Sequence, residues 1–132
     1  MKTFLTYTSI VEALTGLALM IVPSRTVLLL LEADLSGPLE TILAMIGGAG
    51  IFSLSLACWL ARPNAAASVA VKALLFYNFS VTVILLYGAL GLGFKGPALW
   101  FVIIFHLFQT IMSIVVIQKN PQNKIPGKIS TH

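Results

Sequence analysis

Four long apolar stretches, separated by short polar punctuation, run through this chain over residues 4–22, 39–61, 67–90 and 97–117. Each is long enough to cross a bilayer as a helix, which takes about 20 residues at a rise of 1.5 Å each. The pattern predicts an all-α integral membrane protein: one four-helix transmembrane domain over residues 1–117, followed by a polar tail over residues 118–132. The connection after the first stretch is not an ordinary polar loop. In TVLLLLEADLSG, residues 26–37, the run Val27 to Leu31 is too short to cross and meets Glu32 and Asp34. That predicts a short helix at the interface, or one folded back over the mouth of the bundle. Pro38 and Glu40 suit the first turn of the next helix. Arg62-Pro63-Asn64 reads as a tight turn and residues 91–96 as the last one. The tail, with Lys119, Lys124 and Lys128 among Pro121, Pro126 and Gly127, is too polar and broken for a further element.

The second stretch is rich in small residues. Gly47, Gly48 and Gly50 leave gaps between bulky side chains, and Ala49, Ser53 and Ala57 repeat at helical spacing. Such a stripe lets a neighbouring helix approach closely, and Ala44 with Gly48 offers a second, rotated stripe. Two stripes serve two neighbours, one inside the protomer and one outside, so a homo-oligomer or a place among other membrane subunits is expected.

Composition strengthens the membrane assignment: 58% of residues are hydrophobic and 9% charged, against about 25% charged in soluble domains. The net charge of +4 does not point to nucleic acid, because the cations sit at the ends of spans rather than on one stripe. Lys2, Arg62, Lys72, Lys119, Lys124 and Lys128 fall on the side of the termini, against Arg25 and Lys95 opposite. The positive-inside rule places both termini in the cytoplasm. Cys58 is the single cysteine, which excludes an intramolecular disulfide and the thiol oxidoreductase chemistry of some four-helix membrane proteins. It reads as a small packing residue. The first stretch is longer than a secretory signal core, carries Glu12 and ends at Pro23 without a small-x-small cleavage site, so it is expected to stay as the first span.

Candidate chemistry lies in the polar residues inside the spans. A carboxylate at mid-bilayer costs about 3 kcal/mol on insertion scales and calls for a partner or water. Counted from the cytoplasmic ends, Glu12 and Ser53 lie about 12 Å deep and Asn78 and His106 about 15 Å deep. His106, Gln109, Thr110 and Ser113 share one helix face, as do Thr8, Glu12 and Gly16, and Asn78 with Thr82. Glu12, His106, Asn78, Gln109 and Ser53 are therefore the candidate ligand or proton site. In one reading Glu12 pairs with His106, since a carboxyl–imidazole pair can share a proton near neutral pH, while Asn78 and Gln109 complete the hydrogen bonds. In the other, the same groups are interhelical glue, each bond contributing about 0.6 kcal/mol. No catalytic residues, metal site or cofactor are expected. GGAG at Gly47 to Gly50 lacks the strand–turn–helix context of a phosphate loop, and one cysteine with a distant histidine makes a poor metal site.

At Glu12, Ala44 to Gly50, and Cys58-Trp59-Leu60-Ala61-Arg62 the chain resembles small bacterial four-span membrane proteins of DoxX-like size and topology. The resemblance implies a bacterial inner membrane and no defined chemistry. Two functional expectations follow. The first is a non-catalytic accessory or scaffold subunit whose polar cluster fixes helix register; the second is a small proton-linked carrier or channel working through Glu12 and His106.

Overall fold

The computed structural model describes residues 1–119; of the polar tail, residues 120–132 lie outside the described residues. The described chain forms five helices and no strand: α1 (Lys2–Ile21), α2 (Pro23–Leu31), α3 (Pro38–Ala61), α4 (Ala67–Leu90) and α5 (Leu99–Gln118). Four of them, α1, α3, α4 and α5, are long and apolar enough to cross a membrane. Their ends fall within two residues of the stretches read from hydropathy.

The short helix starts earlier than the apolar run Val27 to Leu31 suggested. Val22, at φ −132°, breaks α1, and Pro23 starts α2 at once, since a ring-locked φ suits a first helical position that needs no N–H partner. Glu32 ends α2 in the left-handed conformation, at φ 53°. That backbone suits glycine and strains a residue with a Cβ. Glu32→Gly should accordingly raise stability by about 1 kcal/mol or less, read as a small upward shift of the thermal midpoint in detergent. A lowered midpoint would show that the Glu32 side chain makes a contribution that outweighs the strain.

The long helices associate most closely as two pairs, α1 with α3 and α4 with α5. In the first pair the backbones touch. A Cβ placed on Gly16 would stand 2.7 Å from the Gly48 carbonyl oxygen and 2.8 Å from the Phe52 nitrogen, and one on Gly48 would stand 2.7 Å from the Gly16 oxygen. The rotated stripe that includes Gly48 is thus the one that packs inside the chain. Ser53 and Ala57 are exposed, and Gly47 and Gly50 have open space where a Cβ would be. The antiparallel sense of this pair is completed at its far end, where Arg62 donates to Thr6 Oγ1 at 3.2 Å. Arg62 also donates to the Trp59 carbonyl at 2.8 Å, and its guanidinium carbon lies 3.2 Å from the centroid of the Trp59 ring.

Two apolar clusters hold the ends. Leu5, Cys58, Ala67, Val71 and Leu74 close the end that carries the N-terminus, with contributions from all four long helices once Val116 and Ile117 are included. Cys58 is the buried packing residue its type suggested. At the other end Leu85, Leu99 and Ile103 pack with Leu30, Leu31 and Phe94, so this cluster draws on α2, α4 and α5 but on neither α1 nor α3. There α2 lies over the chain: the Ala98 amide donates to the Leu29 carbonyl at 3.1 Å, and a Cβ on Gly96 would collide with the backbone of Leu30 and Leu31. The seam between the helix pairs is filled by hydrophobic side chains at one end only. At the other it is roofed by α2.

Candidate functional site

Between the two apolar clusters lies a layer of buried polar side chains. Thr8, Ser9 and Glu12 of α1, Asn78 and Thr82 of α4, and His106, Gln109, Thr110 and Ser113 of α5 are all buried. The residues that 3.6-residue spacing grouped by face are buried together in each group, and Ser9 joins them beside Thr8. Several hydroxyls answer their own helices: Thr82 donates to the Asn78 carbonyl, Thr110 to that of His106 and Ser113 to that of Gln109, each at 2.8 Å. The longer side chains reach across the seam. Gln109 Nε2 donates to Thr8 Oγ1 at 2.8 Å, and Tyr77 Oη donates to Glu12 Oε2 at 3.3 Å.

The hydrogen-bond pairing differs from the expected one. Glu12 is bonded to Tyr77, whereas His106 Nδ1 is bonded to Asn78 Oδ1 at 2.7 Å. Two facts set the direction of the second bond. Asn78 Nδ2 donates to the Leu74 carbonyl at 2.8 Å, so the amide oxygen is the atom that faces His106, and an amide oxygen only accepts. The neutral imidazole thus carries its proton on Nδ1, and its Nε2 holds a bare lone pair. Gln109 does not join this group; it bonds Thr8 instead.

Ser53 lies apart. It is exposed and donates to the carbonyl of Ala49, one turn back on its own helix, at 2.8 Å. Depth along the helix placed it level with Glu12, but rotation decides contact. Five residues separate Ser53 from Gly48, which turns it about 140° from the face that meets α1. Ser55, two residues on, is the buried serine of α3, and it bonds the Phe52 carbonyl at 2.7 Å. Tyr77 is the partner that residue typing passed over. Its signal was a phenol in mid-span, one residue before Asn78, where a hydroxyl needs an acceptor.

One atom of the layer is left over. Glu12 is 2% exposed, and its Oε1 has no hydrogen-bond partner among the described residues. It lies on the wall of a cavity of about 330 Å³ that runs along the seam between α1 and α5 beneath α2. Ala98, just before α5, and then successive turns of the helix line it from mouth to floor, Phe101 and Val102 followed by Phe105 and His106, a span of about 12 Å at 1.5 Å per residue. Opposite them stand Tyr7, Val11, Glu12 and Thr15 of α1, and the roof is Thr26, Leu29 and Leu30 of α2. Glu12 and His106, though not bonded to each other, thus share one cavity.

Its volume falls at the lower end of the range for small-molecule sites, about 300–1,000 Å³. The hydrogens of Thr15 and Thr26 are committed to the carbonyls of Val11 and Val22, each at 3.0 Å. No three His, Cys, Asp or Glu side chains converge as a metal site among the described residues. Comparison with protein families, with curated proteins and with solved structures finds no match to this chain.

Proposed function

We propose that this protein is a small proton-linked carrier of the bacterial inner membrane, in which Glu12 and His106 form the working site. The observation that carries the reading is the partnerless, buried Oε1 of Glu12, a residue that lines a cavity together with His106. A carboxylate kept only to fix helix register would have both oxygens satisfied, because a buried acceptor without a partner costs about 1–3 kcal/mol, and more when charged. An acceptor left unpartnered on a residue beside a cavity is what a site for a proton or ligand requires.

Membrane insertion is part of the proposal. Only 17–28% of each apolar window is buried within the chain, and Leu14, Phe76, Ile84, Leu90 and Phe101 are each at least 64% exposed. Lipid is the surround that such faces fit. The four long helices then form a bundle with both termini in the cytoplasm, as the lysine and arginine bias directs, and α2 lies at the outer mouth of the cavity. The outward stripe of Ser53 and Ala57 on α3 is free for a second copy or another membrane subunit.

A second reading, the scaffold subunit, draws on the satisfied part of the same layer. The Gln109–Thr8 and His106–Asn78 bonds join helices and need no ligand. Proton movement separates the two. In vesicles loaded with a pH-sensitive dye and energised by a potassium diffusion potential, wild type should move protons in a manner that changes across roughly pH 5.5–8. Glu12→Gln and His106→Gln should remove that dependence while keeping the fold, since an amide does not titrate. Equal proton movement in all three proteins overturns the carrier reading in favour of the scaffold.

A further inference from the structure

Resting on the reading of Glu12 and His106 as a ligand site, we propose that the cavity takes an amphiphilic amine that keeps at least one N–H bond, held as an ammonium ion. Its nitrogen sits at Glu12 and His106, and its apolar body runs along the aromatic and leucine walls towards α2.

Hydrogen-bond accounting leads to this class. With Glu12 ionised, the floor offers two acceptors and no uncommitted donor: Oε1 of Glu12 has no partner, and Nε2 of His106 is the ring nitrogen left after Nδ1 is given to Asn78. Tyr77 cannot supply the missing donor, since its hydrogen already goes to Oε2. Thr15 and Thr26, higher up, have also given theirs away, and the remaining hydroxyl of the lining, that of exposed Tyr7, stands more than a helical turn along α1 from Glu12. A ligand that meets both floor acceptors must therefore bring hydrogens. The walls then choose its charge and shape. Tyr7, Phe101 and Phe105 present aromatic rings, which favour a cation over an anion. Among the described residues no lysine or arginine lines the cavity. An inorganic cation would have to shed its hydration shell for one carboxylate oxygen and one imidazole, far short of the six or more oxygens a calcium ion takes. An ammonium on an apolar body gives up little hydration and covers Leu29, Leu30 and Val102. A quaternary ammonium carries charge but no N–H, and leaves both acceptors unmet.

Proton balance ties the ligand to the carrier reading. When Glu12 begins as the neutral acid and R–NH3+ enters, the carboxyl O–H bond breaks, the proton leaves to water and the carboxylate keeps the ammonium, one proton out for each ammonium in. When the uncharged amine enters, the carboxyl proton moves to its nitrogen and none is released. The titratable groups facing Glu12 are Tyr77 of α4, His106 of α5, Cys58 of α3 and Tyr7 of its own helix; the α2 residues of the cavity do not titrate.

The test is calorimetric titration of the full chain in mild detergent with phenethylammonium, its N-trimethyl analogue and phenethyl alcohol. The ammonium should bind about tenfold or more tightly than either, the size expected of a charge-assisted hydrogen bond. Glu12→Gln should erase that preference. Phe105→Leu, which leaves the polar layer intact, should weaken the ammonium more than the alcohol and serves if Glu12→Gln does not fold. Equal binding of the ammonium and its trimethyl analogue overturns the N–H requirement, and equal binding of ammonium and alcohol overturns the cation. The vesicle assay, run with and without an ammonium gradient, keeps the two readings apart. Glu12-dependent proton movement without ammonium binding sinks the ligand class and spares the carrier; neither signal sinks both. The same N–H chemistry occurs in ethanolamine lipid headgroups. Displacement of phenethylammonium by ethanolamine lipid but not by choline lipid names the membrane as the source, and displacement by neither names a free amine.

Discussion

Valine at Gly16 or Gly48 should separate α1 from α3 and lower the unfolding free energy by about 3 kcal/mol or more, at the upper end of overpacking costs. The neighbours that a new Cβ would meet at 2.7–2.8 Å include the backbone oxygen of the opposite glycine and the Phe52 nitrogen, so no side-chain rotation relieves them. Even alanine should cost about 1–3 kcal/mol, because the two helix axes must move apart to admit a methyl group. Gly47→Ala and Gly50→Ala supply the control. Both positions have open space, and each substitution removes a flexible residue from a helix interior, so stability should hold or rise by about 0.5–1 kcal/mol. Thermal unfolding in detergent, or steric trapping in bicelles, reads all four. Equal destabilisation at Gly47 and Gly48 would show that helix propensity rather than backbone contact governs α3.

Gly96→Ala should lift α2 from the connection between α4 and α5. The added Cβ would overlap the carbonyl group of Leu30 and the amide of Leu31, and the nearby bond from the Ala98 amide to the Leu29 carbonyl would be strained with it. Loss of α2 unroofs the cavity, since Leu29 and Leu30 form its upper wall. The measurement is the rate at which a hydrophobic carbodiimide modifies Glu12, followed by mass spectrometry. It should rise severalfold in Gly96→Ala. Leu30→Ala, which trims the roof from the other side without touching backbone, should raise it by a smaller factor. An unchanged rate in both would mean that reagent reaches Glu12 by a path that α2 does not cover.

The polar layer shows where reading by residue type succeeds and stops. Spacing alone puts Thr8 with Glu12, Asn78 with Thr82, and His106 with Gln109, Thr110 and Ser113 on shared helix faces, and all are buried. Helical period fixes which residues of one helix travel together, and a polar group among apolar ones seeks protein rather than lipid. Ser53 escaped this logic because its hydroxyl is satisfied by its own helix and can face any surround. Partner choice escaped it too: depth put Glu12 within about 3 Å of His106, yet the bonds run to Tyr77 and Asn78.

The set of elements follows from the order of residues alone. Apolar length, proline and glycine punctuation, and the backbone's need to satisfy its own hydrogen bonds require four long helices and one short one, whichever neighbours they find. The tertiary structure decided the rotation and closeness of each helix. Those depend on which small residue meets which backbone, and Gly47 and Gly48 are chemically identical until α1 lies against one of them. It alone also decided that the seam between the helix pairs stays open beneath α2. A cavity is space that side chains from several elements fail to fill, and no residue carries that failure in its own identity.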